Sequence, residues 1–297
     1  MTERRSRLDT VAIASLVLCC FLWGLNQVAA KVALADVPPL WQAAVRSLGG
    51  AALVFVWSRW RGIALFARDG SLPGGLGAGL LFAAEFACIF IGLQFTSASR
   101  MVVFLYLSPF VVALGMPFIS RAERLSLTQI AGLVTAFAGV AWAFAESFSQ
   151  PAVGPRQWVG DALGVLAACL WGGTTLVIRA TRLGAVVAEK TLLYQLGISG
   201  LALFATALWG GPAWVTVPSS LTWLSLFFQI VVVTFASYLL WFWLVRHYQA
   251  TQISAFTLLT PVFGLLQGAL LLGEPITPRL LVALVAVAVG IVMVSRR

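Results

Sequence analysis

Two ionisable side chains stand far inside long apolar runs of this 297-residue chain, where a charge is costly enough to be kept only for pairing or for function. Arg46 lies seven residues in from Pro39, about 10 Å deep at 1.5 Å per residue. Glu85 lies ten residues in from Gly75, near the middle of its run. At these similar depths a buried Arg46–Glu85 pair has two readings. It is either a clamp that neutralises charge between two helices, or a binding site in which Glu85 attracts an ammonium group or takes up a coupling proton while Arg46 attracts a carboxylate.

A second group combines rings with small polar groups. Trp23, Asn26, Gln27 and Ala30 follow the i, i+3, i+4, i+7 spacing of one helix face, and Trp171, Thr174, Thr175 and Ile178 repeat it. Such faces suit a cavity that stacks on rings and hydrogen-bonds through amides and hydroxyls. They equally suit helix packing through Gly24 and Gly172, with the amides as glue. Tyr106, Tyr194 and Tyr238 are mid-span phenols that need partners when buried. Pro109 and Pro261 each remove a backbone donor, freeing the carbonyls of Leu105 and Thr257, and are read either as mobile gates or as static kinks. His247, the single histidine, sits beside Arg246 at a helix end and is read as an interfacial side chain.

The elements that carry these residues follow from composition. The chain is 61% apolar and holds 19 Lys plus Arg against 10 Asp plus Glu. Globular domains run at about 25% charged residues, so the solvent here is mostly lipid. Ten spans of about 20 residues consume about 200 and leave too little for a soluble catalytic or nucleotide-binding domain. The pattern predicts an all-α integral membrane protein with helices over about 10–33, 39–58, 75–96, 98–120, 125–145, 160–182, 188–210, 219–246, 250–271 and 277–295. The breaks carry Pro and Gly, as at Leu72-Pro73-Gly74-Gly75 and Gly273-Glu274-Pro275. The first run is read as a retained span, without a cleavage site. Cys19, Cys20, Cys88 and Cys169 all lie in apolar runs and are read as small hydrophobes.

Sorted by alternate loops, about 14 Lys and Arg fall on the side of the amino terminus and about four on the other. That imbalance predicts cytoplasmic termini and turns the net charge of +9 into a topology signal rather than a nucleic-acid surface.

Internal repetition is the more informative pattern. Leu22-Trp23-Gly24 with Lys31 recurs as Leu170-Trp171-Gly172 with Arg179. Tyr106-Leu107-Ser108-Pro109 is echoed by Leu258-Leu259-Thr260-Pro261, and Glu123-Arg124-Leu125-Ser126 by Glu274-Pro275-Ile276-Thr277. The shift stays near 150 residues, which divides the chain into halves at about 10–145 and 160–295. Five spans per half is an odd number, so the halves are expected to be inverted repeats around a central cavity, the architecture of secondary transporters.

These motifs resemble the EamA repeat of the drug/metabolite transporter superfamily: the Trp-Gly of the first helix of each half, the Ser-Pro and Thr-Pro of the fourth helices, and Leu-Leu-Gly-Glu-Pro-Ile-Thr before the last helix. Ala122-Glu123-Arg124 departs from the family's Gly-Glu-Pro. The resemblance covers nearly the whole chain. It implies a carrier in the bacterial inner membrane, most similar to exporters of aromatic amino acids, working by alternating access. The implied partners are an amino-acid substrate and the bilayer, with no nucleic acid, ATP, cofactor or metal. Export of organic cations or drugs is the alternative, since rings and one carboxylate suit cation–π binding. An intramembrane enzyme is disfavoured: one histidine at a helix end and one mid-membrane carboxylate assemble no catalytic group. No Gly-x-x-x-x-Gly-Lys loop for ATP occurs.

Overall fold

The computed structural model describes residues 8–92, 95–96, 98–143, 145, 154–210, 212–272 and 278–295. The echoed motif at 273–277 and most of the connection between the halves lie outside the described residues. So does the side chain of Gln27.

The principal helices among the described residues are α1 (Thr10–Ala33), α2 (Pro39–Trp60), α3 (Leu72–Gly92), α4 (Ala98–Leu105), α5 (Ser108–Ile119), α6 (Leu127–Ala143), α7 (Gln157–Ala180), α8 (Ala188–Gly210), α9 (Ser220–His247), α10 (Ala250–Phe256), α11 (Leu259–Leu272) and α12 (Pro278–Ser295). Six helices among them, α1, α2, α3, α7, α8 and α9, are long and apolar enough to cross a membrane.

Local chemistry sets the ends. Asp9 caps α1 by accepting from the Ala12 N–H at 2.9 Å, and Pro39 opens α2, where a missing donor costs nothing. Ser126 and Gln129 form a reciprocal capping box at α6 (3.3 and 2.9 Å), and the Gln129 amide also donates to the Val294 carbonyl of α12 at 2.9 Å.

Helix α3 begins at Leu72, earlier than expected from its Pro-Gly-Gly run. Pro73 falls in the first turn, where it breaks no hydrogen bond. Gly74 and Gly75 are needed there for closeness, because a Cβ at Gly75 would stand 2.4 Å from the Tyr194 ring.

The fourth and ninth predicted spans are each broken in two. Tyr106 and Leu107 separate α4 from α5, and Thr257 and Leu258 separate α10 from α11. Pro109 and Pro261 therefore lie in first turns rather than inside helices. The Thr257 carbonyl is not freed, since it accepts from the Thr260 N–H at 2.9 Å.

Polarity is inverted relative to a water-soluble fold. Arg46, Glu85, Gln229 and Gln252 are buried, while Phe118 and Trp209 are 92% and 91% exposed. That is the distribution expected when the surroundings are hydrocarbon.

Nearly all principal packing joins one half of the chain to the other. Helix α1 packs on α11 and α7 on α5; α2 packs on α9 and α8 on α3; α3 packs on α7 and α1 on α9. Exchanging the halves turns each of these contacts into its neighbour in the series. The pairs α2 with α8 and α6 with α12 map onto themselves. Glycines make the crossings: a Cβ at Gly24 would lie 2.9 Å from the Gly264 nitrogen of α11, and one at Gly172 would lie 2.6 Å from the Val111 Cβ of α5. Gly132 and Gly290 do the same for α6 and α12, where a Cβ at Gly290 would stand 2.4 Å from the Gly132 carbonyl.

Candidate functional site

Arg46 leaves α2 on the face made of Ala43, Ala44, Ser47 and Gly50, small residues that let neighbouring helices close around it. Its guanidinium donates from Nη2 to the Tyr238 hydroxyl at 2.8 Å. It also lies 4.9 Å from the Phe86 ring centre and 6.0 Å from that of Tyr238, within cation–π range of both. Tyr238 meets Trp23 edge-on at 6.0 Å and Phe82 at 6.4 Å; Phe82 meets Phe86 at 4.9 Å, and Trp23 meets Trp241 at 5.2 Å. The Trp23 indole N–H donates to Ser237 Oγ at 2.9 Å. Three helices, α1, α3 and α9, thus surround the Arg46 cation of α2 with rings.

Glu85 is buried on α3 beside Phe86, and its Oε2 has no hydrogen-bond partner. No ion pair within 4 Å joins it to Arg46 among the described residues. The direct Arg46–Glu85 clamp is therefore not formed, because Tyr238 and Phe86 hold the guanidinium instead. Arg46 Nε is likewise buried without a partner. A guanidinium with an unused donor, a carboxyl with an unused oxygen and a lining of ring edges can together receive a solute that carries opposite charges and an apolar body.

The other sequence candidates are distributed around this cluster. Tyr106, at the break between α4 and α5, is buried and meets Trp171 of α7 edge-on at 5.6 Å. Thr174 donates to its own helix at the Leu170 carbonyl (2.9 Å), and Thr175 is buried beside it. Asn26 Oδ1 is buried without a hydrogen bond. Tyr194 is not part of the cluster: its ring lies against Gly75, with Lys190 Nζ 5.9 Å from its centre. His247 stacks 4.5 Å from Trp243 at the end of α9.

Sequence reasoning missed four polar groupings. Arg179, counted as a loop charge, is buried at the end of α7 in an ion pair with Glu123. Lys190 is buried and donates to Asp69 Oδ2 at 2.8 Å and to the Ala67 carbonyl at 2.7 Å. That lysine and Ser71 hold the Asp69 carboxyl well below the usual carboxylate range. Between α2 and α9, Gln42 bonds to Gln229 at 3.0 Å. On the far loop, the Ser219 N–H (2.8 Å) and the Thr222 hydroxyl (2.6 Å) both donate to Asp36 and lower its carboxyl.

Residues 10–145 and 158–296 each match the EamA-like transporter family. The chain belongs to that family. Two copies of the EamA unit therefore make up this transporter, and its multiple apolar helices make it a multi-pass membrane protein. It is 26% identical over 288 residues to an uncharacterised transporter, YvbV, of Bacillus subtilis, covering 95% of this chain and 90% of that one. It is 28% identical to a probable amino-acid metabolite efflux pump of Salmonella typhimurium (93% and 91% covered). A protein of the same description from Escherichia coli K12 is also 28% identical (88% and 87% covered). A solved crystal structure superposes with a TM-score of 0.81 at 18% identity, covering 94% of each chain, which shows a shared fold.

Proposed function

We propose that this EamA-family transporter is an exporter of amino acids, aromatic ones included, that works by alternating access in the bacterial inner membrane. The observation that carries the reading is the Arg46 guanidinium bound to Tyr238 and Phe86, one residue along the chain from the unpaired carboxyl of Glu85. A zwitterion would give its carboxylate to Arg46 and its ammonium to Glu85. Trp23, Phe82 and Phe86 would meet its side chain. Trp171 and Tyr106 offer further ring surface, and Thr175 and Asn26 further polar groups. The descriptions of the Salmonella and Escherichia relatives support the same substrate class.

In this reading the halves, about 10–145 and 160–295, are inverted five-span repeats, with cytoplasmic termini and ten spans in all. The exchange relation among the helix contacts supports that arrangement, as do the matched breaks at Tyr106-Leu107 and Thr257-Leu258. Those breaks, each followed by Pro109 or Pro261, are where the fourth and ninth spans would bend as the site changes sides.

Liposome counterflow tests the function. Labelled phenylalanine should exchange saturably and stereoselectively, and unlabelled zwitterionic amino acids should compete while quaternary ammonium compounds do not. Competition by quaternary ammonium compounds alone would move the assignment to organic cations, which Glu85 among rings would also suit.

A further inference from the structure

From Arg46 toward the membrane face that carries Asp36, the interface of α1, α2 and α9 is polar turn after turn. Gln42 Nε2 donates to Gln229 Oε1 at 3.0 Å and to the Ala30 carbonyl at 3.2 Å. Gln229 Nε2 donates to Ser225 Oγ at 3.1 Å, and that hydroxyl donates to the Ala29 carbonyl. One turn nearer the surface, Thr222 donates to Asp36 Oδ2 at 2.6 Å. Between Gln229 and Tyr238 on α9, Thr234 is fully buried, and its hydroxyl oxygen has no partner.

The counterpart interface of α3, α7 and α8 is built differently. There the close approaches are Gly74 on Thr181, Gly75 on Tyr194 and Gly79 on Ile198, each leaving less than 3 Å to an added Cβ. Apart from Glu85, α3 carries no charged, amide or hydroxyl side chain. Both seams close on glycine, since a Cβ at Gly50 of α2 would stand 2.5 Å from Thr234 of α9, but the α1–α2–α9 seam is also bonded from helix to helix through amides and hydroxyls, whereas α3 keeps its side of the other seam dry apart from Glu85.

The difference has a physical meaning. Buried hydrogen bonds between helices add little net stability over apolar packing, so polarity is not needed to hold the seam shut. Amides and hydroxyls can exchange each protein partner for a water with little net change. The α3 side of the other seam, once parted, would wet apolar surface apart from Glu85. The winding of α9 points the same way: Phe228–Ser237 is π-helical for 10 residues along this seam, whereas π geometry is usually confined to single turns and is frequent at functional sites.

We propose that the α1–α2–α9 seam is the water-accessible route by which a polar solute passes between the Arg46–Tyr238 cluster and the membrane face that carries Asp36. The test needs no substrate, so the route and the amino-acid reading fail separately. In a background with Cys19, Cys20, Cys88 and Cys169 replaced by Ala, single cysteines are placed by Ser225→Cys, Gln229→Cys and Thr234→Cys. Ala78→Cys, buried on α3, is the dry-seam control. Ala35→Cys, exposed beside Asp36, marks the face.

The probe is a charged, membrane-impermeant trimethylammonium-ethyl methanethiosulfonate added to one side of sealed vesicles. Seam cysteines should react at least tenfold faster than Ala78→Cys, and from the side that labels Ala35→Cys. Reaction as slow as the control, or faster from the opposite side, would overturn the proposal. Ser225→Cys replaces one atom and keeps the test decisive if the larger changes fail to give a monodisperse protein.

Discussion

Arg179 and Glu123 form an ion pair shut off from solvent, with side-chain exposures of 0% and 4%, where α7 meets the loop between α5 and α6. Arg179 Nη1 also donates to the Val245 carbonyl at 2.8 Å, and Glu123 Oε2 accepts from the Ala250 N–H at 2.8 Å. One carboxylate thus ties α7 to the α5–α6 loop and caps α10. Removing one partner strands a buried charge. Glu123→Ala should cost about 3–5 kcal/mol, and Glu123→Ala combined with Arg179→Met should cost clearly less than the sum of the two changes. Thermal unfolding in detergent measures both, and additive losses would deny the coupling.

Tyr238→Phe removes the acceptor of the Arg46 hydrogen bond while keeping the ring edges against Trp23 and Phe82. A hydrogen bond to a charged group contributes about 1.5–3 kcal/mol, and the lower figure corresponds to about a tenfold rise in half-saturation for amino-acid counterflow. Arg46→Lys should abolish counterflow in folded protein, because an ammonium cannot serve two partners and a carboxylate with a fixed fork. Unchanged flux in both variants would remove Arg46 from the site.

Gly75→Ala places a methyl group 2.4 Å from the Tyr194 ring. Overpacking of this kind costs about 1–3 kcal/mol. In a Tyr194→Ala background the same methyl group should lower the melting temperature clearly less than it does in the parent. If it does not, the glycine is needed for something other than room.

How far the sequence could be read depended on contrast with lipid. Arg46 and Glu85 stood out because no apolar run carries a charge without reason, Trp23 because a ring beside polar groups recurs at helical spacing, and Tyr238 because a mid-span phenol needs a partner. That Tyr238, not Glu85, would meet Arg46 depends on how α9 is rotated, which residue types do not reveal. Arg179 escaped because it sits one residue before a helix end, where a cation ordinarily reads as a topology signal. The clue was present: the repeat that pairs Lys31 with Arg179 also pairs Glu123 with Glu274, two cations and two carboxylates at one shift. The π-helical winding of Phe228–Ser237 has no local sequence signature, because it is set by what α9 packs against.

Asp69 should give the molecule a sensitivity to acid. Lys190 and Ser71 favour its ionised form, so the folded chain binds this proton more weakly than the unfolded chain does. Its contribution is complete at neutral pH and drains away as pH falls below about 4, the ordinary aspartate value. Melting temperature followed down an acid titration should drop in the parent protein, and the drop should be shallower in Asp69→Asn. Identical profiles would mean that the loop bond to Lys190 carries no stability.

The hydrogen bond between Arg46 and Tyr238 spans 192 positions of chain. At a synthesis rate of about 5–20 residues per second, Arg46 waits about 10–40 s before its partner leaves the ribosome. During that interval a naked guanidinium has to be kept out of the lipid by the insertion machinery. Most of what α1, α2 and α3 will pack against, on α7, α8, α9 and α11, is also still to be made. The first half is therefore a client of whatever shelters nascent membrane chains, and loss of that shelter should trap it as a degradable fragment long before any transport could be measured.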